Sequence, residues 1–238
     1  MIRDAAGRLG FAPSLVVALL AAALVALVSI TSGAYPLALG DILSVMIGRE
    51  ASDPVASMVL LEVRMPRFLL GFLVGAVLAV SGALLQGLFR NPLADPGLIG
   101  VSAGASLAAI AVIVLGNTWL GGWLAITGEW ALPIAAFLGG SGTVLLAWRM
   151  ANRSGQTAVA TRLLAGLAIN AVAGAATGLL TFYANDEELR SLTFWTMGSL
   201  GHAGWDDLLV GAPFMLLALL AAPWLARPLD AFLLGESV

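Results

Sequence analysis

Long uncharged runs separated by short polar breaks set the pattern of this chain. Six runs are almost continuously apolar, at about residues 14–31, 68–89, 97–115, 130–148, 163–183 and 208–226. A helix rises about 1.5 Å per residue, so the 22 residues Phe68–Phe89 form a rod of ~33 Å, long enough to cross a bilayer core of roughly 30 Å. The pattern predicts an all-α, polytopic membrane protein with about six transmembrane helices, residues 1–238 forming a single domain. The first run is read as a span and not as a secretory leader, because it lacks a small-residue cleavage site before a soluble domain and more spans follow.

The breaks carry their own signals. Residues 32–63 read as a loop with Gly33, Pro36, Gly40, Gly48 and Pro54, in which Asp41–Arg49 forms a short amphipathic helix at the membrane surface. Asn91-Pro92 and Asp95-Pro96 form a hairpin, with Asp95 as N-cap and Pro96 as the first helical residue ahead of the third span. Residues 116–123 (GNTWLGGW) are turn material, and Trp130 and Trp148 bracket the fourth span as in an aromatic belt. Residues 149–162 are a polar connector with three arginines, and Asn185–Arg190 reads as an acidic turn. The following SLTFWTMGSLGHAGW is too short and glycine-rich to cross, so it is re-entrant or interfacial. Gly71/Gly75, Gly100/Gly104 and Gly174/Gly178 have the small-xxx-small spacing that lets helices pack closely.

Composition narrows the chemistry. With 60% hydrophobic and 11% charged residues, the chain falls far from soluble domains, about a quarter of whose residues are charged. The absence of cysteine excludes disulfides, thiolate metal sites, iron–sulfur clusters and cysteine nucleophiles. All eleven basic residues are arginine. Without lysine there is no P-loop and no Schiff-base chemistry, so the chain is not itself the usual kind of ATPase. His202 is the only histidine and reads as a polar residue of an interfacial loop; no metal is expected.

Charge gives an orientation. With the N-terminus inside, Arg3, Arg8, Arg90, Arg149, Arg153, Arg162 and Arg227 are cytoplasmic, against Arg49, Arg64, Arg67 and Arg190 outside. Seven against four favours that orientation by the positive-inside rule. The interior of spans two to six is neutral, its polar groups being Ser81, Gln86, Ser102, Ser106, Asn170 and Thr177. Ion-coupled carriers need intramembrane carboxylates or a broken-helix ion site, and neither is evident. The acids Asp186, Glu187, Glu188, Asp206 and Asp207 read first as solvated helix ends, and otherwise as the pairs of a membrane enzyme. What remains is a passive pathway driven by another subunit, with no catalytic residue in this chain.

From Arg64 onward, RMPR…GALLQGLFRNPLADPGLIGVSAGAS, then LLAGLAINAVAGAATGLL and LRSLTFWTMGSLGHAGWDDL, the sequence resembles the FecCD permeases of ABC importers for ferric siderophores, haem and vitamin B12. The resemblance implies one half of a permease homodimer or heterodimer in the bacterial inner membrane. It further implies a cytosolic ABC ATPase that binds the ATP and magnesium, and a periplasmic or lipid-anchored binding protein. The cargo it implies is an iron chelate, a ferric siderophore first, with haem or a cobalamin as the alternative; no nucleic acid is implied. Arg64 and Arg67 match the family's external basic pair, which meets carboxylates of the binding protein, whereas spacing alone reads them as interfacial anchors. Asn91 and Leu93 match its cytoplasmic constriction, whereas spacing alone reads them as helix termination. Such permeases have about ten helices, and LLGESV falls where the family begins its ATPase-coupling segment. The expectation is a fragment of a longer reading frame or a truncated protein that does not couple to ATP hydrolysis alone. A non-transporting scaffold stays open on the same ground.

Overall fold

A computed structural model describes residues 10–49, 53–116, 118–152, 159–201 and 203–234, with no strand among them. Ten α-helices are described: α1 (Phe11–Thr31), α2 (Leu39–Met46), α3 (Pro54–Met58), α4 (Met65–Phe89), α5 (Val101–Leu115), α6 (Gly121–Thr127), α7 (Ala131–Asn152), α8 (Val159–Tyr183), α9 (Asp186–Met197) and α10 (Trp205–Leu234). The all-α membrane architecture expected from hydropathy is the one observed. The chain divides into two compact units, Met1–Phe72 with Leu200–Leu209, and Leu73–Ser199 with Val210–Val238.

In the first unit, α1 carries no charge, and Leu19, Leu20, Leu24 and Val25 lie well exposed on it, as on a helix solvated by acyl chains. α2 buries Ile42 against Leu37, Ala56 and Leu60 and leaves Leu39, Leu43 and Met46 exposed, an amphipathic helix at the expected place. The second span begins earlier than hydropathy indicates. Helical structure is continuous from Pro54 to Phe89, passing through α3, a π-helical stretch Val59–Arg64 and α4. The start is set by Asp53, whose Oδ1 accepts from Val55 N at 2.9 Å ahead of Pro54. The charges of Glu62, Arg64 and Arg67 hide that start from a hydropathy reading. Tyr35 donates its hydroxyl to Asp53 Oδ2 and so ties the preceding loop to the same cap. That bond holds the Asp53 carboxyl below its ordinary range and raises the Tyr35 phenol above its own.

The second unit is organised by the crossing of α5 and α7. A Cβ on Gly139 would clash with Gly104 O and lie 2.5 Å from Ala108 Cβ, while one on Gly104 would lie 2.7 Å from Gly139 O. The two backbones touch, a geometry only paired glycines allow. Further along the same contact, Val112 packs with Ala131 and Ala135 of α7, and on another face of α5 Ile110 and Val114 pack with Leu192 of α9.

Two expectations are corrected here. The third span, placed at 97–115, is broken: Pro96–Ile99 is a 3-10 turn, Gly100 sits in the left-handed region at φ 91°, and α5 has only 15 residues. At ~22 Å, α5 is shorter than the hydrocarbon core. Among the described residues, five helical segments are long and apolar enough to cross a membrane: Ala12–Thr31, Pro54–Phe89, Gly121–Met150, Leu164–Tyr183 and Trp205–Leu229. The acidic stretch read as a turn is instead the first turn of α9. Asn185 accepts from Glu187 N and Glu188 N at 3.0 Å, and Glu188 Oε2 accepts from Asn185 N at 3.0 Å, a capping box.

Two outcomes test these contacts. Leucine at Gly139 should lower stability by about 2–3 kcal/mol or abolish monodisperse protein, as overpacking a backbone crossing does, read by thermal unfolding in detergent. Tyr35→Phe should lower Tm, and the sign of its pH dependence follows from both partners. The depressed Asp53 contributes stability above its ordinary value of about 3.9 and loses it as pH falls through its lowered one. The raised Tyr35 contributes below about 10 and loses it as pH rises further. The Tm gap between wild type and Tyr35→Phe should therefore be widest between about pH 4 and 10 and should close on both sides.

Candidate functional site

The two arginines of the RMPR stretch come from one turn of helix but meet different surroundings. Arg64 closes the π-helical stretch and is only 8% exposed. Its Nη1 donates to Ile30 O near the end of α1, and its Nη2 donates to Tyr35 O. Gly33 permits this, since a Cβ there would stand 2.7 Å from Arg64 Nη2. The guanidinium is thus committed to one carbonyl that α1 leaves free at its end and one of the loop that follows. Arg67, half-buried at the start of α4, lines the same cavity of about 340 Å³ with Ser29, Ser32 and Tyr35, and its Nε has no hydrogen-bond partner among the described residues. The pair expected to act together is split: Arg64 is an internal tie, and Arg67 holds the uncommitted charge.

The NPLADPG hairpin is built from its own side chains. α4 ends in a Schellman arrangement, with Asn91 N donating to Gln86 O at 3.1 Å and Arg90 N to Gly87 O at 3.2 Å. Arg90 takes φ 50°, a left-handed position that usually falls to glycine. Asn91 Oδ1 then accepts from Leu93 N at 2.9 Å, and Asp95 Oδ1 from Gly97 N at 2.7 Å. Ala94 is buried while its neighbour Leu93 is 83% exposed, a large apolar side chain presented at the tip. Asn91 therefore shapes the backbone that displays Leu93.

The base of the hairpin rests on α8, where sequence reasoning assigned only a neutral polar residue. Asn170 Nδ2 donates to Gly97 O at 3.0 Å. One turn earlier, Gly166 lies so close to the turn that a Cβ would clash with Leu98 O and stand 2.9 Å from Ile99 Cα. The spacing Gly166–Asn170 carried that signal, as Gly139–Thr143 did for the α5–α7 crossing.

Among the paired glycines singled out in the sequence, Gly104 lies in a backbone crossing, Gly71 faces Leu200 Cδ1, and Gly100 turns the chain beside Ile169. Gly75, Gly174 and Gly178 face open space within this chain. Of the acids weighed for catalysis, Glu188 closes the capping box of α9 and Asp207 Oδ2 accepts from Gly204 N at 2.9 Å ahead of α10. His202 and residues 153–158 of the connector lie outside the described residues.

Comparison with known proteins agrees with the geometry. Residues 19–238 match the FecCD transport family. The hemin transport system permease protein HmuU of Yersinia pestis is 43% identical over 176 residues, which are 74% of this chain and 51% of HmuU. The cobalamin import system permease protein BtuC of Halobacterium salinarum is 36% identical over 76% of this chain and 46% of its own length. The vitamin B12 import system permease protein BtuC of Escherichia coli is 36% identical over 78% of this chain and 54% of its own length. A solved structure, an inward-facing conformation of a putative metal-chelate type ABC transporter, superposes with a TM-score of 0.69 at 31% identity, over 86% of this chain and 59% of that one. The chain spans about half the length of these curated relatives. On the family match and these identities, the chain belongs to the FecCD transport family.

Proposed function

We propose that this chain is part of the permease subunit of an ATP-driven importer that carries a large metal chelate inward. The observation that supports it best is the pairing of an uncharged transmembrane interior with a rigid hairpin that presents Leu93 to the outside of the chain. A large chelate needs a path that holds it weakly, and neutral walls provide one. An apolar tip suits a constriction built from two facing copies. Haem is the first cargo to test, because the relative at 43% identity is named a hemin permease. A ferric siderophore and a cobalamin are the other two.

In this reading a cytosolic ABC ATPase binds ATP and magnesium, a second permease copy completes the path, and a binding protein delivers cargo from outside. The N-terminus is cytoplasmic in the bacterial inner membrane, on the arginine distribution. Arg67 is the residue for the binding protein. A guanidinium with free donors holds a carboxylate as a fork, and its charge steers encounter. Arg64 fixes the loop that lines the same cavity.

Reconstituting the permease with its ATPase and binding protein in proteoliposomes tests the proposal. ATP-dependent, vanadate-sensitive uptake of one of the three chelates supports it, and uptake of none overturns it. The arginines should separate. Arg67→Glu should weaken binding-protein affinity by tenfold or more, with a reduced salt dependence and little loss of thermal stability. Arg64→Gln should instead destabilise the protein by about 2–4 kcal/mol, since two carbonyls lose a charged donor.

A further inference from the structure

We infer that Asn170 is a positioning residue that latches the hairpin at residues 90–100 onto α8, so that Leu93 moves with α8 and not as a free loop. Three residues on one face of α8, at helical spacing, meet the Pro96–Gly100 turn. Gly166 removes a side chain so that backbone touches backbone at Leu98 and Ile99. Ile169 is buried, and its Cγ2 would stand 3.0 Å from a Cβ on Gly100. Asn170 adds the one directional bond, to Gly97 O.

The bond answers a specific need. Because Pro96 and the left-handed Gly100 break the helix, the Gly97 carbonyl sits in a single 3-10 turn and receives only Gly100 N, at 3.1 Å, from the backbone. A carbonyl has two acceptor sites, and the Asn170 amide fills the second. An amide side chain in the middle of an apolar helix is itself costly unless bonded. Each group meets the other's requirement, and apolar packing alone offers no such pairing. The bonds from Leu93 N to Asn91 Oδ1 and from Gly97 N to Asp95 Oδ1 stiffen the hairpin from within. The bond from Asn170 ties its base to α8, and so bears on where the Leu93 tip points.

Hydrogen exchange in the assembled transporter, in nanodiscs, tests the latch without reference to cargo. The amides of Leu93, Ala94, Gly97, Leu98 and Gly100 are hydrogen-bonded within the hairpin or its base. In Asn170→Leu their exchange should rise about tenfold, while amides in the middle of α5 and α7 stay at wild-type rates. Asn170→Gln, which keeps an amide donor, should return exchange to within about threefold of wild type. Should Asn170→Leu fail to reach the membrane, Asn170→Ser, too short to reach Gly97, carries the same expectation as the leucine variant. Equal exchange in the leucine (or serine) and glutamine variants overturns the inference. So does unchanged exchange, or a rise spread evenly over α5, α7 and α8. The consequence for transport rests on the function proposed above: uptake per ATP hydrolysed should fall about threefold or more in Asn170→Leu at unchanged KM. If the wild-type assembly imports none of the three chelates, that function fails while the exchange result still decides the latch.

Discussion

Wherever a helix stops or breaks, the carbonyls left without a helical partner must find donors, and that requirement shapes both the RMPR stretch and the NPLADPG hairpin. At the end of α4 backbone donors meet them, and at two other breaks a side chain does. At the end of α1 the donor is Arg64, which bonds Ile30 O and Tyr35 O. At the broken start of α5 it is Asn170, which bonds Gly97 O. Each donor sits beside a glycine without which it, or its helix, could not approach: Gly33 for the guanidinium, Gly166 for the turn.

These two solutions differ in a way that bears on activity. A guanidinium carries several donors and a permanent charge, so Arg64 binds two carbonyls and stays charged while buried. Its burial also leaves the charge of the RMPR stretch to Arg67. Asn170 is neutral and offers a single bond to a single carbonyl, a contact weak enough to be remade if α8 shifts. The first contact is thus stiff and charged, the second lighter and neutral.

Much of the architecture was legible because hydropathy over about twenty residues reports burial in lipid directly. The spans that correspond to α1, α7, α8 and α10 fall where the uncharged runs lie. Asp95-Pro96 was readable as a helix start, and Asp95 does cap the turn. The same pairing at Asp53-Pro54 went unread because three charges follow it, and hydropathy gives those more weight than a cap. Asn185–Arg190 reads as a turn on its acidity, although an asparagine followed three residues later by glutamate is a capping box in any solvent. What sequence could not supply was the partner of each polar group. Asn170 and Gly97 lie 73 residues apart, and Arg64 and Ile30 lie 34 apart, so no local pattern joins them.

That limit also explains why Arg64 and Arg67 looked interchangeable. Three residues apart on a helix, they share a face in an ideal α-helix, and a charge pair on one face reads as a single site. The π-helical stretch that ends at Arg64 alters the local winding, and carbonyls at the end of α1 and in the loop after it take up one guanidinium. An arginine with free donors in a cavity and an arginine whose donors are used have opposite consequences on substitution, one on association and the other on folding. The distinction lies in where the carbonyls of a different helix come to rest.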